Sequence, residues 1–80
     1  FNPSTSVAFS LKDPSKVNIS IYNIKGELVK VLVNETKNPG HHSVVWNGKN
    51  SHNKTVSAGI YMLKMECNEY IKTKKIIMIK

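Results

Sequence analysis

The feature that most constrains this chain is alternation. Apolar residues recur at every second position in short runs, and no stretch shows the three-to-four-residue spacing of a helix. Val7, Phe9 and Leu11 alternate with Ser6, Ala8, Ser10 and Lys12, and Val17, Ile19 and Ile21 with Asn18, Ser20 and Tyr22. His42, Val44 and Trp46 share one side of the run His41 to Asn47. After Gly59, Tyr61, Leu63, Met65 and Cys67 fall on one face, and Met62, Lys64 and Glu66 on the other. Strand side chains point to opposite faces in turn, so each run describes a strand with one buried side. Glu27 to Val33 alternates less cleanly and reads as a strand apolar on both sides.

Turn chemistry separates these runs. Asn2-Pro3-Ser4 and Lys12-Asp13-Pro14-Ser15-Lys16 are polar breaks held by proline. Asn23-Ile24-Lys25-Gly26 reads as a three-residue hairpin loop with Gly26 at positive φ. Asn34 to Gly40 reads as a longer loop ending in a type II turn at Asn38-Pro39-Gly40. Asn47 to Lys54 is polar throughout, and Thr55-Val56-Ser57 is a candidate short edge segment. Ile60 to Met65 and Tyr70 to Ile79, split by the polar break Glu66 to Glu69, form a terminal hairpin. Six or seven short strands without a helix predict an antiparallel β-sandwich.

Eighty residues make a single domain, 1–80, whose small core buries roughly 60–65% of the unfolded surface. Cys67 is the one cysteine, so no internal disulfide supports the fold, and its place in the alternation assigns it to the core. The chain opens on Phe1-Asn2-Pro3-Ser4 without an initiator methionine or a leader, which suggests the C-terminal domain of a larger secreted protein. No segment approaches the roughly 18–20 apolar residues that cross a bilayer as a helix.

The formal net charge is +7, and all 12 basic residues are lysines. Arginine is the residue suited to bidentate phosphate and base contacts, so its absence argues against nucleic acid as a partner. The five carboxylates, Asp13, Glu27, Glu35, Glu66 and Glu69, form no dense acidic cluster of the kind calcium requires. His41 and His42 project to opposite faces of a strand, which keeps them from sharing a metal ion. A serine triad would have to use Asp13, and no serine sits in a glycine-flanked elbow. These residues point away from an enzyme and from any cofactor or metal. Trp46 reads as core from its alternation with Val44, with a sugar-stacking platform as the other reading.

Several blocks in order carry a resemblance over essentially the whole chain. They are Phe1-Asn2-Pro3-Ser4-Thr5, Ile21-Tyr22-Asn23-Ile24-Lys25-Gly26-Glu27-Leu28-Val29, Gly40 to Gly48, and Ser57-Ala58-Gly59-Ile60-Tyr61 with Lys74-Lys75-Ile76-Ile77-Met78. Together they resemble the C-terminal sorting domain of type IX secretion cargo, a family overlapping in sequence with the immunoglobulin-like domain of flagellar hook-capping proteins. Asn47 and Asn53 depart from the pattern, and asparagine tolerates the left-handed conformation needed at the second. The resemblance implies a small immunoglobulin-like sandwich that directs an N-terminal cargo domain across the outer membrane of a Gram-negative bacterium. The partners it implies are an outer-membrane translocon and a sortase-like peptidase, and the destination is the cell surface or the medium.

It further implies translocon recognition by Asn23, Gly26, Val29, Gly59, Tyr61 and the run Lys75, Ile76, Ile77, Met78, Ile79 and Lys80. Backbone geometry explains the two glycines equally well, packing explains Val29 and Tyr61, and turn capping explains Asn23. Two other functions compete with the secretion address. One is an immunoglobulin-like structural spacer or accessory module of an extracellular protein. The other is a carbohydrate- or polyanion-binding module using Trp46, the histidines and the lysines.

Overall fold

In the computed structural model, which describes residues 4–68 and 70–79, the alternating runs form six strands. They are β1 Thr5–Leu11, β2 Ser15–Asn23, β3 Leu28–Lys37, β4 Gly40–Trp46, β5 Gly59–Cys67 and β6 Tyr70–Met78. β1 and β4 make a two-stranded sheet, and β3, β2, β5 and β6, in that order, make a four-stranded one. All pairings are antiparallel. This is the expected antiparallel β-sandwich, with no helix and no disulfide among the described residues.

The centre of the large sheet carries the core. Val17, Ile19 and Ile21 of β2 are 0% exposed, and Tyr61, Leu63, Met65 and Cys67 of β5 are buried beside them. β4 contributes Trp46, 1% exposed, from the opposite layer. Each fully buried aliphatic side chain adds about 1.5–3 kcal/mol over its exposed state, so the β2 triplet is a large share of what a domain this small has.

The β2–β3 hairpin closes as its sequence dictates. Gly26 N–H donates to the Asn23 carbonyl and Asn23 N–H to the Glu27 carbonyl, both at 3.0 Å, and Gly26 takes φ +84°. Beyond the turn the register slips twice, between Ile19 and Ser20 and between Ile21 and Tyr22. Each slip adds a residue to β3, so Val29, Leu32 and Val33 turn inward while Leu28 and Val31 stay exposed. That is why the β3 run alternates poorly.

Three local expectations are corrected. Asn34 to Lys37 is not loop: β3 continues through it, pairing Asn34, Glu35, Thr36 and Lys37 with Asn18, Val17, Lys16 and Ser15. The backbone ladder suffices there, because an edge strand needs no apolar side chains on its solvent side. Ser20 is buried rather than exposed, and its hydroxyl donates to Asn18 Oδ1 at 2.8 Å. Thr55 to Ser57 forms no strand; Thr55 makes a single bridge to Lys49. The Asn38-Pro39 bend does set Gly40 at φ +125°, where β4 begins. At the other hairpin Cys67 pairs with Tyr70, and Asn68 adopts φ +53°. The turn at Asn2-Pro3 and residues Phe1, Glu69 and Lys80 lie outside the described residues.

Candidate functional site

The residues singled out by sequence gather at one end of the sandwich. Asn23 stands opposite Tyr61 on β5, and Tyr61 opposite Ile76 on β6. Gly59 pairs with Met78, and Ile60 with Ile77. The Val29 carbonyl accepts from Ser51 N–H at 3.2 Å, which ties β3 to the loop between β4 and β5. A shallow groove of about 430 Å³ lies here, lined in part by Asn23, Val29, Ser51, Val56, Ser57 and Tyr61.

Most of these residues hold the fold. Asn23 Oδ1 accepts from the N–H groups of Lys25 and Glu27 at 3.0 Å each, and its Nδ2 donates to Glu27 Oε1 at 3.0 Å. Asparagine suits this place because one short amide reaches both the loop backbone and the residue after it. Gly26 sits where a Cβ would meet nothing within 4 Å, so φ rather than space requires glycine. Gly59, at φ +148°, opens β5 on the same terms. Tyr61 is 7% exposed; its hydroxyl donates to the Ser57 carbonyl at 2.7 Å, and burial pushes its phenol pKa above 10.0.

The terminal strand divides by face. Ile76 and Met78 are buried core residues, whereas Lys75, Ile77 and Ile79 are exposed. Lys80 is outside the described residues. The exposed members belong to a feature that sequence reasoning missed. On the outer face of the large sheet, Leu28 pairs with Tyr22, Tyr22 with Met62 and Met62 with Lys75, in one row across all four strands. The Ile60–Ile77 pair lies beside it, and Leu28, Ile60 and Ile77 are 58%, 40% and 49% exposed. The signal was available: in Ile60-Tyr61 and Ile76-Ile77-Met78-Ile79 both faces of a strand are apolar at once.

The polar side chains of the described residues make mainly local structural contacts. Among the described residues no three of histidine, cysteine, aspartate and glutamate are placed to hold a metal ion. His42 stacks on Phe9 with ring centroids 5.3 Å apart and donates from Nε2 to the Asn38 carbonyl at 2.7 Å. His41 Nδ1 lies 2.7 Å from Ser10 Oγ. Lys37 beside Glu35, at 2.8 Å, hydrogen-bonds its carboxylate and lowers that group's pKa. Trp46 is buried and donates from Nε1 to the Lys49 carbonyl at 2.9 Å, so it offers no open face for a sugar.

Six antiparallel strands in two sheets, without a helix among the described residues, make a small immunoglobulin-like sandwich. The family model described as "FlgD Ig-like domain" matches residues 1–69, and the chain belongs to that family. Among solved structures, FlgD from P. aeruginosa is similar with a TM-score of 0.70 at 23% identity. That match covers 92% of this chain and 57% of the FlgD chain, so this chain spans little more than half of its structural relative. At such identity the likeness speaks to the fold. No curated protein matches the chain.

The family match overturns the type IX sorting reading. It takes in the first three blocks of the resemblance and the Ser57-Ala58-Gly59-Ile60-Tyr61 part of the fourth, and assigns them to the FlgD immunoglobulin-like family. The physical reason lies in what these residues do: Asn23, Gly26, Gly59 and Tyr61 close turns and a loop, roles that the sandwich itself requires. The structural-module alternative fits these findings better, and the translocon and peptidase are not carried forward as partners.

Proposed function

We propose that this chain is a non-catalytic, immunoglobulin-like structural module of a larger extracellular protein, of the type found in flagellar hook-capping proteins. The carrying observation is the exposure of Leu28, Ile60 and Ile77, from two adjacent rows of the outer sheet face, in a domain of the FlgD Ig-like family. Such a face favours packing against a neighbouring domain or subunit, because burying it recovers roughly 25 cal/mol per Å² of apolar surface. Cys67 is buried as a free thiol, so the fold needs no disulfide and no oxidising compartment to form one.

A domain exchange tests this. The chain would replace the immunoglobulin-like domain of FlgD in a P. aeruginosa strain lacking its own copy, and motility and hook assembly would be scored. Restored motility, lost again on Leu28→Asp with Ile60→Asp, is the expected result. A chimera that is folded and stable yet leaves cells non-motile removes the flagellar assignment. Unchanged function of the double aspartate variant would remove the outer face as the contact.

A further inference from the structure

Among the described residues the small sheet has only two strands, each with one edge that pairs with no other strand, and the β1 edge is the one that borders a cleft. β1 has β4 along one edge and, among the described residues, no strand along the other. Its inward residues Val7, Phe9 and Leu11 are half-buried, where the corresponding triplet of β2 is 0% exposed. Across the gap β6 shows the complementary defect: Tyr70, Lys72 and Lys74 project to the inner side with Ile76 and Met78, yet they are exposed. Between the two edges runs a cleft of about 270 Å³. Five consecutive residues, Ser6 to Ser10, line it, so the cleft follows the backbone edge of β1 and not one face of it. Leu63 and Met65 form its apolar floor, and Lys72 and Lys74 stand on the far rim.

We propose that this cleft receives an extended segment of a partner protein, with apolar and acidic residues alternating, which pairs with β1 as the third strand of the small sheet. A free strand edge offers a row of N–H and C=O groups, and a peptide that satisfies them gains main-chain hydrogen bonds whatever its sequence. Period-2 alternation then supplies specificity. The inward apolar side chains of the added strand face Phe9, Leu63 and Met65, and the outward acidic set lies on the solvent side within the positive field of the rim lysines Lys72 and Lys74. Acidic character follows from those two ammonium groups and from the net charge of +7. The same charge disfavours a second copy as the occupant, since two such edges bring lysines together. A small molecule is disfavoured too, because pockets for such ligands usually enclose about 300–1,000 Å³ and exclude solvent. This strand site is distinct from the outer face and does not depend on it.

The test uses the 80-residue chain and a nine-residue synthetic peptide of alternating valine and glutamate. Three controls accompany it: a peptide with lysine for glutamate, one N-methylated at alternate backbone nitrogens, and the protein variant Lys72→Glu with Lys74→Glu. Binding would be followed by amide chemical shifts and hydrogen exchange. The expected result is new protection confined to Ser6 to Ser10, with side-chain shifts at Leu63 and Met65. Affinity should fall at least tenfold with the lysine peptide, the N-methylated peptide or the charge-reversed protein. Equal binding of the N-methylated peptide would overturn strand pairing, and protection along β6 instead of β1 would overturn the site. No binding of the acidic peptide at millimolar concentration would overturn the proposal, as would protection of Ser6 to Ser10 by dimerisation without any peptide.

Discussion

Trp46 and Tyr61 meet edge to face across the two sheets, ring centroids 5.3 Å apart and planes at 66°. Each ring also holds the long loop between β4 and β5: Trp46 Nε1 donates to the Lys49 carbonyl and Tyr61 Oη to the Ser57 carbonyl. The pair therefore joins the layers and pins both ends of a polar segment that has little apolar packing of its own. Trp46→Ala should cost about 3–5 kcal/mol, enough to unfold much of a domain of this size. Tyr61→Phe keeps the ring and loses the hydroxyl, for about 1 kcal/mol. Urea unfolding would measure both, and hydrogen exchange in residues 49–57 should quicken in Tyr61→Phe before the strands are affected. Unchanged exchange there would show that the hydroxyl does not anchor the loop.

The same phenol sets an alkaline limit. Burial raises the Tyr61 pKa above 10.0, so the folded state favours the neutral form. The unfolded chain loses this proton near its ordinary value, and the folded chain at higher pH. The contribution is fully present below about pH 10 and is lost as pH rises through the folded-state value. Urea midpoints between about pH 9 and pH 11 should fall more steeply for the native chain than for Tyr61→Phe. Parallel slopes would mean that this group does not govern the alkaline loss.

Gly26 separates backbone strain from crowding. At φ +84°, with no atom within 4 Å of where a Cβ would stand, Gly26→Ala introduces only the conformational penalty of a left-handed residue. That penalty is about 1 kcal/mol, and Gly26→Asn should recover part of it. Asn23→Ala, which removes the acceptor of the Lys25 and Glu27 N–H groups, should also cost about 1 kcal/mol. Equal stability of Gly26→Ala and the native chain would count against the glycine-bulge account of this turn.

How far the sequence could be read depended on what each residue type encodes. The Val17, Ile19, Ile21 alternation and the Asn23 to Gly26 turn carried enough to place a buried strand and a hairpin, because side-chain period and positive φ are local properties. The continuation of β3 through Asn34 to Lys37 was hidden, since its stability lies in ladder bonds to β2 that polar side chains do not advertise. Ser20 was misplaced because the register slip beside it depends on the partner strand. The candidate faces were least legible. Lys72 and Lys74 read simply as a basic strand, and their position at a cleft follows from the layer opposite, which ends at β1.

The outer face gives the last prediction. Leu28 and Ile60 are 58% and 40% exposed, so their replacement creates no cavity, and threonine has the β-branched shape a strand favours. Leu28→Thr with Ile60→Thr should therefore leave the unfolding free energy of the isolated domain within about 0.5–1 kcal/mol of the native value. A change in the core of the same sheet, such as Ile19→Ala, should cost about 2–5 kcal/mol. The order reverses if the face is a contact in the parent protein. There the double threonine variant should expose the domain to protease and raise dye binding, although the domain itself stays folded. Proteolysis rates of parent and isolated domain, each with and without the substitutions, would measure the difference. A parent indifferent to the double change would place its contacts on another surface of the sandwich.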